Sequence, residues 1–163
     1  MSNRIKDVFA IIYSPLVEGK RILALSRADA ERIPPLPGVA MLSITAPGTV
    51  PANVAGYEHL LRQSFSDVNF VTTNPAAKIQ KKTPTAITKE QALEIHDFVQ
   101  ALPDSIHTLL IHCEGGFSRS CGVASALTVV YGFEVEDERL KRANQSVKKM
   151  LLDVVKTKKK TTR

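Results

Sequence analysis

The chain has no tryptophan and only two cysteines, Cys113 and Cys121, in 163 residues. That is too few for the disulfide framework of a small secreted domain, and two thiols fit a reducing compartment better than an oxidising one. No apolar run approaches the roughly 20 residues that span a bilayer. The first residues, MSNRIKDVFAII, lack the apolar core and small-residue cleavage site of a secretory leader. The expectation is a cytoplasmic protein with no membrane partner. The four histidines, His59, His96, His107 and His112, show no ligand spacing and accompany no cysteine cluster, so neither a metal site nor a cofactor is expected. Charge of one sign is also scarcer than it looks. The formal net charge is +6, but Lys156, Lys158, Lys159, Lys160 and Arg163 crowd the last residues and leave the remainder close to neutral. A basic end of this kind is read as a flexible, solvated tail, with docking to an acidic partner or nucleic acid as the alternative.

With 44% hydrophobic residues, the chain is one domain's worth and can bury a core: residues 1–155, followed by the tail 156–163. Val8–Tyr13, Arg21–Leu25, Val39–Ile44 and His107–Ile111 read as strands. Ser26 caps a short helix that Pro34 and Pro35 end. Apolar residues at helical spacing (Val54, Tyr57, Leu60, Leu61) predict a helix over Asn53–Arg62, weakened by Gly56, with Leu61–Phe65 returning as an extended stretch. Ser66–Ala86, with Pro75, Pro84, Lys78, Lys81 and Lys82, is a long loop of the kind that more often serves function than mere connection. Thr88 and Gln91 form a capping box for a helix whose buried side is Ala92, Ile95, Phe98, Val99 and Leu102. Arg119–Tyr131 is a helix stopped by Gly132, and Glu136 to about Lys156 a final one, with Leu140, Ala143, Val147, Leu151 and Val154 as its stripe. Strands alternating with helices predict an α/β single domain with a mostly parallel central sheet flanked by helices.

Leu109–Leu127, LLIHCEGGFSRSCGVASAL, joins a strand, a tight glycine loop and a helix within a few residues. That arrangement aims the N–H groups of the loop and first helical turn at one spot above the strand, an anion site. Gly115 and Gly116 are expected to supply the positive φ that so tight a curl needs. A free thiol has a pKa of about 8.5, and reactivity near neutral pH asks for a drop of roughly two to three units, about 3 to 4 kcal/mol. A helix N-terminus supplies at most about 2 kcal/mol. Arg119, the Ser120 hydroxyl and the loop amides are the further donors, and the Arg119 fork can hold two phosphate oxygens together.

His112-Cys113, five residues, then Arg119-Ser120 resembles the phosphate-binding loop of the cysteine-dependent protein tyrosine phosphatase superfamily, in particular its compact dual-specificity-type branch. Leu42–Gly48 (LSITAPG), Ser64–Val68 (SFSDV), Thr88–Val99 (TKEQALEIHDFV) and Arg142–Val147 (RANQSV) are similar to a group of small bacterial proteins described as predicted tyrosine phosphatases. The resemblance implies a strand–phosphate loop–helix active site and hydrolysis through a phosphocysteine. Cys113 would be the nucleophile, and Glu114, Gly115, Gly116, Phe117, Ser118 and Arg119 would bind phosphate. Ser120 would support the leaving thiolate and His112 would orient the cysteine, unless His112 is only a core histidine. Cys121 reads as a packing residue, with redox pairing to Cys113 as the alternative.

Phosphoryl transfer also needs a proton donor for the leaving oxygen. Functional side chains in open α/β sheets gather beyond the carboxyl ends of strands. Asp67 follows LLRQSF and fits, and the resemblance agrees, although its distance along the chain to Cys113 is longer than in most of the family. A solvated turn aspartate is the alternative reading, and Glu90 or Asp97 the fallback acid. A phosphotyrosine or mixed phosphoprotein substrate is expected, with Glu114 arguing against highly phosphorylated ligands. The alternatives are phosphatase action on nucleotides or RNA 5′ ends, which the basic tail keeps open, and a non-catalytic phosphate-binding module.

Overall fold

The computed structural model describes residues 4–16, 19–68 and 85–161. Its elements are α1 (Arg4–Ile12), β1 (Arg21–Ser26), α2 (Arg27–Arg32), β2 (Val39–Thr45), β3 (Leu60–Ser64), α3 (Lys89–Gln100), β4 (Thr108–Cys113), α4 (Arg119–Tyr131), β5 (Glu134–Val135), a 3₁₀ helix (Asp137–Arg142) and α5 (Gln145–Thr161). The five strands form one sheet in the order β3-β2-β4-β1-β5. All its pairings are parallel, with Leu110 facing Leu23 on one side and Met41 on the other. The chain is thus an α/β domain with helices on both faces of the sheet.

Strand alternation builds the two faces. Ile22, Leu42, Ile44, Leu109 and Ile111 point into a layer shared with Ile95, Val99, Leu127, Val147 and Leu151 of α3, α4 and α5. Leu23, Leu25, Met41 and Leu110 point the other way, against Val8 and Ile12 of α1 and Ala30 of α2. Being buried on both faces, β1, β2 and β4 read as continuous apolar runs. β4 lies in the middle, so its carboxyl end opens at the centre of the sheet edge.

Three expectations are corrected. Val8–Tyr13 is not a strand: Val8–Ile12 is the second half of α1 and Tyr13 the turn after it, because Val8 and Ile12, one helical turn apart, are the residues buried against the sheet. Asn53–Arg62 is not a helix: Val54 and Tyr57 are buried from turns, and Gly56 lies so near Pro35 that a Cβ would stand 2.5 Å from its Cγ. The extended stretch that follows is real and forms β3. The final helix is two pieces. The 3₁₀ turn ends at Ala143, whose backbone is extended, and Asn144 starts α5 by accepting from the Ser146 and Val147 amides at 3.0 and 3.1 Å. α5 runs through Thr161, into the stretch assigned to the tail.

The two capping motifs stand as expected. Ser26 accepts from the Asp29 amide, and Thr88 and Gln91 exchange both bonds of a capping box. At the base of the long loop, Ser66 and Thr85 bond through their backbones (2.7 Å) and hydroxyls (2.8 Å), which brings its ends together. Pro75, Lys78, Lys81, Lys82 and Pro84 lie outside the described residues.

Candidate active site

Cys113 is the last residue of β4 and is 2% exposed. From there the chain turns through Glu114–Ser118 into α4, whose first residue is Arg119. Only Gly116 has a positive φ, 78°, and a Cβ on it would stand 2.6 Å from the Leu25 carbonyl carbon and the Ser26 nitrogen. Gly115 has no positive φ, and a Cβ on it would meet Phe117 Cδ2 at an ordinary 3.8 Å, so of the glycine pair only Gly116 is required by the turn. Its position turns the Gly116 amide inward, where it donates to Cys113 Sγ at 3.3 Å. The Ser120 hydroxyl lies 3.2 Å from the same sulfur and donates to it when the sulfur is a thiolate. Cys121, fully buried behind the loop, donates its S–H to the Gly116 carbonyl at 3.4 Å. Both cysteines are free thiols.

Arg119 is only 6% exposed. Its Nη1 donates to the Phe65 carbonyl at 3.0 Å, which fixes the guanidinium across the end of β3, while its Nε is buried without an acceptor. A buried cationic N–H left unpaired costs on the order of 1–3 kcal/mol or more, so an acceptor placed against it would be stabilised by about that much.

His112 is fully buried next to the cysteine. Its Nδ1 lies 3.3 Å from the Cys113 carbonyl and its Nε2 2.6 Å from Ser43 Oγ. A carbonyl can only accept, so Nδ1 carries the hydrogen and Nε2 accepts from the serine. Both ring nitrogens are therefore engaged, which holds the ring in place at the end of β4. Burial is the main cause that pushes its pKa below the usual 6.5, outweighing the hydrogen bond to the Cys113 carbonyl. The sign follows: between the depressed folded value and 6.5 the unfolded chain binds the extra proton, so stability rises with pH in that window. The thermal midpoint should fall as pH drops from roughly 7 to 5, and fall less in His112→Gln than in the native chain. An equal pH slope in both proteins would show that His112 does not titrate with unfolding.

Asp67 lies just beyond β3, and the structure brings it to the loop. Its Oδ1 accepts from Ser118 Oγ at 2.5 Å and from Asn144 Nδ2 at 2.8 Å. Asn144 is the residue that sequence reasoning missed, although RANQSV was singled out. It is 3% exposed and touches everything nearby: its amide donates to the Ser118 carbonyl at 3.0 Å, its Oδ1 caps α5, and its Nδ2 also reaches the Val68 carbonyl at 3.1 Å. Gly122 makes the approach feasible, since a Cβ there would sit 2.7 Å from the Asn144 carbonyl oxygen. An asparagine directly before a helix was the available signal.

The fallback acids lie elsewhere. Asp97 is felt electrostatically by Tyr131, at the far end of α4 from Arg119, and Glu90 is exposed in the first turn of α3. Glu114 is ion-paired to Arg27 at 3.3 Å, and Arg27 also holds Glu31 at 3.4 Å, while the Asn53 amide donates to Glu31 at 2.8 Å and is the first cause of its lowered pKa. Phe117 is 41% exposed at the tip of the loop, with the guanidinium carbons of Arg139 and Arg142 at 4.6 and 5.6 Å from its ring centroid. Among the described residues, no group of three or more His, Cys, Asp and Glu side chains is arranged to hold a metal ion, and no helix is long and apolar enough to cross a membrane. No family model, no curated protein and no solved structure matches the chain.

Proposed function

We propose that this protein hydrolyses phosphomonoesters through a phosphocysteine on Cys113, as a cytoplasmic protein tyrosine or dual-specificity phosphatase. The observation that carries this reading is the pairing of a buried sulfur met by two donors with a buried guanidinium whose Nε lacks an acceptor, both on one loop between a strand and a helix. An oxyanion in that loop would find the Arg119 N–H and the amides of the first turn of α4 waiting for it.

In the first step, Cys113 Sγ attacks phosphorus and the bond to the leaving oxygen breaks, with Asp67 delivering a proton to that oxygen. Both hydrogen bonds to Asp67 converge on Oδ1, which leaves Oδ2 as the oxygen to carry the proton. In the second step, Asp67 takes a proton from water as the water attacks the phosphocysteine. The sulfur leaves as a thiolate, received by the Ser120 hydroxyl and the Gly116 amide. Arg119 holds the equatorial oxygens throughout.

The test is hydrolysis of a small aryl phosphate in the presence of chelator, with and without vanadate, followed by acid quenching to trap phosphate on the protein. Chelator-insensitive turnover blocked by vanadate, with label recovered on Cys113, is the expected result. A strict metal requirement, or label on no cysteine, would overturn it.

A further inference from the structure

We propose that Phe117 and Arg142, backed by Arg139, form a second anion-binding shelf beside the loop, which selects peptides carrying an acidic residue next to the phosphorylated one. This rests on the phosphatase reading above. The two sides of the loop differ in charge. On one side Arg27 is neutralised, its Nη1 on Glu114 and its Nε on Glu31. One guanidinium shared by two carboxylates leaves that side net negative, so it does not attract a second anion. On the other side two guanidinium groups lie against the one exposed ring of the loop.

That second side is tied closely to the chemistry. Arg139 Nη2 donates to the Gly116 carbonyl at 3.2 Å, and the Gly116 amide is itself a donor to Cys113 Sγ. Arg142 is exposed at the end of the 3₁₀ helix, two residues before Asn144, whose backbone amide is bonded to Ser118. The backbone under Arg142 is thus anchored to the loop, and its guanidinium rests on Phe117 by a cation–π contact. A long side chain held in this way has lost part of its freedom before a ligand arrives, which favours binding. A guanidinium fork suits a carboxylate or a second phosphate. With guanidinium groups already packed on it, the Phe117 ring is poorly offered for stacking a nucleobase, which favours a peptide over RNA.

Three phosphotyrosyl peptides test the shelf: one with alanines on both sides, one with glutamates on the N-terminal side, and one with glutamates on the C-terminal side. The wild type should show kcat/KM about tenfold higher on one glutamate peptide than on the alanine peptide, with the gain mostly in KM and reduced by salt. In Arg142→Ala that preference should collapse, the loss on the acidic peptide exceeding any loss on a small aryl phosphate by about tenfold. Arg142→Lys should recover only part of it. No preference in the wild type, or a preference that survives Arg142→Ala, overturns the shelf. A 5′-phosphorylated oligonucleotide that depends more on Arg142 than the acidic peptide does also overturns it. These results are separable from failure of the phosphatase reading, in which the aryl phosphate itself would not be hydrolysed.

Discussion

Cys113→Ser should lose at least about 10⁴ of kcat on an aryl phosphate, because a serine hydroxyl ionises far less readily than a thiol and is a much weaker nucleophile at neutral pH. The adjacent His112 cannot serve as its base: its Nδ1–H is on the Cys113 carbonyl and its Nε2 takes the Ser43 hydroxyl. The Gly116 amide and Ser120 hydroxyl would still point at the substituted oxygen, so inorganic phosphate should continue to protect the variant against thermal unfolding. Arg119→Lys makes the complementary case. Lysine keeps the charge but loses the planar fork that can bond the Phe65 carbonyl and present its remaining N–H groups to an oxyanion. A loss of roughly 10² to 10³ in kcat is expected from removing a preorganised donor of this kind, together with weakened protection by phosphate. Near-native turnover by Cys113→Ser would sink the covalent mechanism. Turnover by Arg119→Lys equal to wild type would show that the bidentate geometry does no catalysis.

What could be read from the sequence was local. The Ser26 and Thr88 caps, the helix Arg119–Tyr131 stopped by Gly132, and the strands β1, β2 and β4 are specified by residues within a few positions of each other, and the structure contains them, whereas the two-residue β5 carries no such signal. Val8–Tyr13 has the β-branched and aromatic composition of a strand, but its buried pair, Val8 and Ile12, is spaced by four residues, which is helical. The break at Asn144 could not be anticipated from periodicity, since the apolar stripe from Leu140 to Val154 continues across it. Asparagine ends one segment and starts the next there because its side chain and amide are committed to distant partners. Those partners explain why the setting of Asp67 was invisible as well. Asp67 is 51 residues from Ser118 and 77 from Asn144, and no spacing rule joins positions so far apart. The strand order, with β4 central, is what draws the ends of β1, β2 and β3 around Cys113, and it too depends on long-range pairing.

Asp67→Asn should divide substrates by leaving group. Protonating the departing oxygen matters for a phosphotyrosine or an alkyl ester and matters little for a strongly acidic phenol that leaves unaided. General acid catalysis contributes typically about 10² to 10⁴ in rate. The variant should therefore lose most of that factor on phosphotyrosine and retain far more activity on an activated aryl phosphate, with phosphate binding preserved because Cys113 and Arg119 are untouched. Asn144 supplies a finer measurement of the same arrangement. Asn144→Ala removes one of the two bonds on Asp67 Oδ1 and the α5 cap together, the cap alone costing about 1 kcal/mol of stability. Asn144→Asp keeps a capping oxygen but replaces the donor to Asp67 by a second carboxylate, so the cap survives while the bond to Asp67 is lost and protonation of Asp67 is favoured. If Asn144 positions the acid, Asn144→Asp should show the leaving-group dependence of Asp67→Asn in weaker form, and combining the two substitutions should cost little more than Asp67→Asn alone, as expected for residues acting as a unit. Equal slowing of both substrates by Asp67→Asn, or no slowing of either, would remove Asp67 as the acid, and additive losses in the double variant would reduce Asn144 to a helix cap.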